Sequence, residues 1–149
     1  MTRGEFDEWL PGQLAEYAEH MAASGAMSAA DARAKAERDT ARFFKAGFET
    51  PGQLVFRVLA GDVAVGWLWL GVPGPGPDPL MAWVFNVKIE PGHRGRGYGR
   101  AAMLLAEAEA RARGMTALGL NVHGQNKVAR LLYESLGYEV TSQQMKKPL

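Results

Sequence analysis

Val87-Lys88-Ile89-Glu90-Pro91-Gly92-His93-Arg94-Gly95-Arg96-Gly97-Tyr98-Gly99-Arg100 is the stretch on which the reading of this chain turns. A β-branched run ends at Pro91-Gly92, alternating glycines follow, and a helix rich in Ala and Leu begins near Gly99 and runs to about Arg113. A strand that enters a helix through so short a turn leaves the first helical amides without partners, with the positive end of the helix dipole behind them. Glycine has no Cβ to hold an anion away from those donors. Arg94, Arg96 and Arg100 add positive charge at the same point. The pattern predicts a phosphate or pyrophosphate cradle. A plain turn that needs glycine for its backbone angles is the competing explanation, but three glycines and three arginines between Arg94 and Arg100 exceed what a turn requires.

Upstream, the chain reads as strands. Leu54 to Leu59 and Val63 to Val72 flank Gly61-Asp62, and two apolar runs around so short a turn predict a hairpin. Gly71 to Pro79 holds four prolines and three glycines and reads as a loop, after which Leu80 to about Glu90 forms a third strand. The first third is helical. Phe6, Leu10, Leu14, Tyr17, Ala18 and Met21 keep close to a 3.6-residue period, and Pro11-Gly12 predicts that this helix begins near Leu10 or kinks there. Ser28 with Asp31 resembles a capping box that opens a second helix, mostly polar, expected to stop near Gly47 and to bury Phe43 and Phe44. Ala22 to Ala26, between the two helices, is small and flexible in composition.

Downstream of the turn the pattern alternates. Ala117 to Val122 reads as a short strand, Asn126 caps a helix running to Leu136 with Gly137 just past its end, and Tyr138 onward is extended. A hairpin followed by strand–helix–strand–helix–strand predicts a mixed α/β sheet covered by helices. The 149 residues, with no repeat or charge block, read as one domain over 1–149. Hydrophobic residues at 47% and charged residues at 22% fit a globular core. The absence of cysteine excludes a disulfide scaffold, a thiolate zinc site and a cysteine nucleophile, and fits a reducing cytoplasm. A net charge of +1 gives no reason to expect nucleic acid or an anionic membrane, and the apolar run Val63 to Val72 is half the ~20 residues a membrane span needs. The N-terminus has no apolar region of the signal-peptide kind.

Three nucleotide-binding patterns compete for the glycine turn. A P-loop requires a Lys-Ser or Lys-Thr pair that is missing. Gly97-x-Gly99-x-x-Ala102 matches a dinucleotide fingerprint, yet the next strand ends Leu120-Asn121-Val122 without the acid that would hold a ribose. The third pattern resembles the GNAT superfamily of acetyl-CoA-dependent N-acetyltransferases. Pro91-x-x-Arg94-Gly95-x-Gly97-x-Gly99 follows a strand, and Arg94-x-x-Gly97-x-Gly99 matches that family's cofactor motif in full. A second block also matches: Leu118-x-Leu120-x-Val122-x-x-x-Asn126-x-x-Ala129-x-x-Leu132-Tyr133-x-x-Leu136-Gly137-Tyr138. The two blocks, in order and at this spacing, cover about a third of the chain. Tyr98 departs from the aliphatic residue frequent in the family.

The resemblance implies a mixed, mostly antiparallel sheet with a splayed central parallel pair, flanked by helices. It implies acetyl-CoA or CoA as cosubstrate, with the pantetheine arm between Asn86–Ile89 and Ala117–Val122. Val87, Lys88 and Ile89 would meet the arm, and Arg94, Gly95, Arg96, Gly97, Tyr98, Gly99 and Arg100 the pyrophosphate. Asn126, Ala129 or Arg130, and Tyr133 share one helix face, and by analogy Tyr133 is the general acid for the departing thiolate. A thiol has a pKa near ~8.5 and a phenol near ~10, so a small local shift would let Tyr133 donate its proton. Glu90 and His123 are the alternatives for the base that takes the amine proton, and the Ile89 N–H is the candidate oxyanion donor. His93 reads as a phosphate neighbour or a surface group.

The acceptor would be an amine of a small molecule or peptide; no metal is expected. The family is often dimeric, so a homodimer is the oligomer it would imply. Trp67 and Trp69 share a strand face, and with Trp9 and Tyr17 they read as core or as an acceptor-pocket lining. Glu8, Glu16 and Glu19 could attract a cationic amine, although a charge-rich helix face is ordinarily just solvated. A non-catalytic CoA-binding or sensory module is the alternative function.

Overall fold

A computed structural model describes residues 1–23, 27–145 and 147 of the chain. Its first helix starts earlier than the apolar period predicts: α1 spans Arg3–Ala23 and runs unbroken through Pro11. Thr2 and Glu5 set that start as a capping box. The Glu5 N–H donates to Thr2 Oγ1 at 3.3 Å, and the Thr2 N–H donates to Glu5 Oε2 at 2.8 Å. The bond from the Thr2 amide, then the Arg57 guanidinium, hold the Glu5 carboxyl at about 2, well below the usual range. Pro11 deletes one backbone bond. Phe6, Trp9 and Leu10, packed against the sheet, offset that loss.

Ser28 caps α2 (Ala29–Phe43) by accepting the Asp31 N–H at 3.1 Å. This helix ends before Gly47 because two phenylalanines turn into the core. Phe43 meets Phe85 with ring centroids 4.6 Å apart, and Phe44 lies 4.8 Å from Trp69. Gly47 instead opens a single 3-10 turn, Gly47–Glu49. Positions 24–26, part of the small-residue segment between the helices, lie outside the described residues.

Four strands follow the predicted runs closely: β1 (Gln53–Ala60), β2 (Val63–Gly71), β3 (Met81–Ile89) and, after α3 (Tyr98–Ala112), β4 (Ala117–Leu120). They lie in the order β1-β2-β3-β4, antiparallel except for the parallel pair β3–β4. The α4 helix (Lys127–Glu134) comes last. The segment after Tyr138, expected to be extended and to close the alternation, adds no strand among the described residues. β4 is therefore the edge of the sheet, and it stops two residues short of Val122.

The two sheet faces bury different chemistry. One packs Leu68, Leu70, Ala82 and Val84 against Ala102, Met103, Ala106 and Ala110 of α3, with Tyr133 and Leu136 beside them. The other is aromatic: Phe6, Phe44, Trp67 and Trp69, with Trp9, Phe43 and Phe85 packed on them. A bulge separates the two halves of β3. Trp69 pairs with Asn86 and Leu70 with Val84, which leaves Phe85 as the extra residue. Phe85 stacks on Trp69 at 4.5 Å, and Asn86 donates to Gln13 of α1 at 3.3 Å, so both project toward the aromatic face.

β2 and β3 approach so closely at Gly66 that a Cβ there would fall on the Lys88 carbonyl oxygen, with its carbonyl carbon only 3.0 Å away. Gly66→Ala should therefore cost on the order of 2 kcal/mol or more through backbone displacement. Gly4, in the first turn of α1, has open space around it, and Gly4→Ala should stabilise by up to about 1 kcal/mol through helix propensity. Urea unfolding midpoints of the two variants should move in opposite directions. Equal midpoints would mean that Gly66 is not a point of close strand approach.

Candidate active site

The site begins where the parallel pair ends. Met81–Val84 pair with Ala117–Leu120. β3 then continues through Ile89, while β4 stops and the chain turns away toward Asn126. The Glu90 N–H donates to the Val65 oxygen at 2.9 Å. In an antiparallel ladder alternate residues bond to the same neighbour, so Asn86 and Lys88 also direct their main chain to β2. The main-chain N–H and C=O of Val87 and Ile89 consequently face the side where β4 has ended.

The turn sits at the mouth of this opening. Gly95 has φ +73° and Gly97 φ +84°, a conformation side chains rarely adopt, so backbone geometry alone accounts for these two glycines. A Cβ added to either would have no other atom within 4 Å, so the outer face of the turn is open. Gly97 is the N-cap of α3, and its side-chain-free cap leaves the first amides of the helix pointing outward. The arginines divide. Arg94 Nε donates to the Ile89 oxygen at 2.9 Å and ties the turn to the strand end. Arg100 bonds Ser135, whose hydroxyl donates to the Leu132 oxygen at 2.6 Å. Arg96 is exposed. Tyr98 is half-buried, its ring 6.5 Å from that of His93. A Cβ on Gly99 would lie 3.4 Å from Leu132 and 3.9 Å from Ile89, so the ends of β3, α3 and α4 converge on this residue.

Asn126 caps α4 as its sequence predicts, with Oδ1 accepting the Ala129 N–H at 3.2 Å. The other end closes as a Schellman motif: the Tyr138 N–H donates to Tyr133 oxygen and the Gly137 N–H to Glu134 oxygen, each at 3.0 Å. The two tyrosine rings lie 5.8 Å apart, the apolar contact that accompanies such a cap. Tyr133 is half-buried, and burial raises its phenol above the ordinary tyrosine value. Burial and then the nearby Glu107 carboxylate raise Tyr138 further.

The remaining predicted residues separate. Lys88 turns its ammonium to the aromatic face, where it bonds Glu16 of α1 at 2.9 Å. Glu90 stands on that same side, next to Trp67. His123 is exposed on the turn between β4 and α4, where its carbonyl accepts the Asn126 N–H at 2.8 Å. The Lys88–Glu16 and Asn86–Gln13 contacts escape sequence reasoning because each joins residues more than 70 positions apart. Among the described residues no group of three or more His, Asp or Glu could hold a metal ion, and no helix is long and apolar enough to cross a membrane.

The sequence profile of the acetyltransferase (GNAT) family matches residues 23–138. No curated relative matches the chain. Among solved structures, the candidate acetyltransferase YycN from Bacillus subtilis is 29% identical, with a TM-score of 0.88 over 100% of this chain and 95% of its own. A candidate acetyl transferase from Pyrococcus furiosus is 24% identical, with a TM-score of 0.60 over 78% of this chain and 79% of its own. The aminoglycoside N-acetyltransferase AAC(6')-Iy in complex with CoA shares the fold, at 14% identity and a TM-score of 0.58 over 78% of this chain and 87% of that one. With a splayed parallel pair, a glycine turn at its mouth and a family match over most of its length, the chain belongs to the GNAT acetyltransferase family.

Proposed function

We propose that this chain transfers the acetyl group of acetyl-CoA directly to a primary amine. The observation that carries the reading is the placement of two main-chain edges, Val87 and Ile89, along an opening that leads out to the Gly95–Gly97 turn. A pyrophosphate at the turn would meet the outward amides of α3, with Arg96 beside it. A pantetheine arm entering from there would pass Ile89 before Val87. The thioester carbonyl would then lie nearest the inner residue, so the Val87 N–H is better placed than that of Ile89 to receive the charge that develops on the oxygen. Ala129 and the Asn126 amide flank the arm from α4.

The transfer forms a bond from the acceptor nitrogen to the carbonyl carbon and breaks the carbon–sulfur bond. The acceptor must react as a free amine, and Glu90, on the aromatic face, or His123, on the turn after β4, would take its proton. Tyr133 supplies the proton that makes the leaving thiolate a thiol. Burial raises its pKa, which keeps the phenol neutral but also makes it a weaker acid, so its proton passes only as negative charge develops on the sulfur.

Tyr133→Phe should lower kcat about 100-fold or more while acetyl-CoA affinity stays nearly unchanged. Because burial raises the phenol pKa, loss of the Tyr133 proton should not limit kcat below about pH 10. An unchanged kcat in the variant would remove Tyr133 from the chemistry. The cosubstrate itself is tested by thermal melts with acetyl-CoA, CoA and NADH. A ligand at 100 times its Kd adds about 2.7 kcal/mol, which should raise Tm by roughly 5–10 °C at this size. A shift with NADH alone would overturn the acetyl-CoA assignment.

Asn126 separates a cap from a ligand contact. Asn126→Ala should cost about 1 kcal/mol of stability and weaken CoA binding, whereas Asn126→Ser should restore the stability but not the affinity. Full recovery of affinity with serine would assign Asn126 to capping alone.

A further inference from the structure

On the aromatic face of the sheet, a cavity of about 380 Å³ opens beside the end of β3. Its walls are Trp9 and Glu8 of α1, Trp67 of β2, and Glu90. Glu5 and Arg57 also border it but bond each other, so their charges offset. Met1 lies at the border too, its ammonium turned to the Val55 oxygen at 3.0 Å. The carboxylates of Glu5, Glu8 and Glu90 thus outnumber the cations in the wall, and the cavity keeps a negative sign. The indoles of Trp9 and Trp67 meet edge to face, 5.2 Å apart at 72°, and so form an aromatic corner. An ammonium held in such a corner is attracted by the ring quadrupoles and by nearby carboxylates together.

The cavity adjoins the proposed chemistry and shares with it one wall residue, Glu90, a candidate base. Trp67 pairs across the ladder with Lys88, the residue between Val87 and Ile89. An ammonium against Trp67 is thus displaced from the splayed edge by roughly one to two strand spacings, about 5–10 Å. Lys88 does not repel it strongly, because Glu16 already pairs the Lys88 ammonium at 2.9 Å.

We infer that this cavity binds a second, distal ammonium of the acceptor, so that the preferred substrate is a small diamine whose two nitrogens are separated by four or five carbons. The inference rests on the acetyl-transfer reading and narrows its substrate class. One nitrogen, unprotonated, takes the acetyl group from the thioester and releases the thiol; the other stays charged in the aromatic corner and undergoes no reaction.

The experiment compares butylamine with 1,4-diaminobutane in two assays of the full chain. The first measures kcat/KM at saturating acetyl-CoA. The second follows tryptophan fluorescence on addition of each amine without acetyl-CoA. The diamine should be favoured about tenfold or more in kcat/KM, and it alone should change the fluorescence. Glu8→Gln and Trp9→Phe should each bring the ratio of diamine to monoamine toward one, while Glu37→Gln, a charge change on the exposed face of α2, should leave the ratio as it was. Equal kcat/KM for the two amines, or a diamine preference indifferent to Glu8→Gln and Trp9→Phe, would overturn the inference and leave acetyl transfer standing. Diamine binding that Glu8→Gln abolishes, with no acetylation of any amine, would support the cavity assignment and overturn the transferase reading instead.

Discussion

The parallel pairing of β3 with β4 stops after Val84 and Leu120, and the rest of the site depends on what that early stop does to the backbone beyond it. A strand in the middle of a sheet normally has both edges bonded, because an amide removed from water without a partner is costly. β3 keeps its β2 edge bonded through Glu90 and turns Val87 and Ile89 toward a side without a strand. An extended chain with its own amides, such as a pantetheine arm, could pair there with the Val87 N–H and C=O and the Ile89 N–H, the Ile89 oxygen being taken by Arg94. The splay thus prepares a binding edge before any side chain is chosen.

The bulge at Phe85 has a matching consequence on the other face. Without it, side chains would alternate strictly along β3. With it, Phe85 and Asn86 both reach the aromatic side, and the next residue on that face is Lys88. A greasy, closely packed half of the strand therefore gives way to a polar half just where the opening begins. Gln13 and Glu16, one turn apart on α1, answer Asn86 and Lys88 in turn. Helix α1 is anchored to β3 by these polar contacts and to β2 by Trp9, which packs on Trp67 and Trp69, so its place on this face is fixed at two levels.

What could be read in the sequence follows from how local each feature is. The strand runs, the turn at Arg94–Arg100, the Asn126 cap and the Gly137 stop each depend on neighbours within a few residues, and the structure places each near its predicted position. The start of α1 is equally local, since Thr2 and Glu5 have capping-box spacing, but the proline at position 11 outweighs it in a reading based on period. The end of α2 is not local. Phe43 and Phe44 leave the helix because Trp69 and Phe85 are there to receive them, and no feature of the α2 sequence reports those partners. The same holds for the cavity, whose walls come from α1, β2 and the end of β3.

Several residues of the family motif have sufficient structural reasons of their own. Gly95 and Gly97 adopt left-handed backbone, Asn126 caps a helix, and Tyr133 lies against Tyr138 beneath a Schellman turn. Such roles do not compete with binding and chemistry; they are how a short turn and a helix of eight residues hold their geometry. A cradle offers amides to an anion only if its backbone is already held in the binding conformation, since ordering it on binding would subtract from affinity. A phenol acts as a proton donor only if its ring is fixed relative to the opening. The Tyr133–Tyr138 contact helps fix the ring, and burial raises the phenol above its ordinary value. In this chain the burial that accompanies packing at the end of α4 is also what raises the Tyr133 phenol.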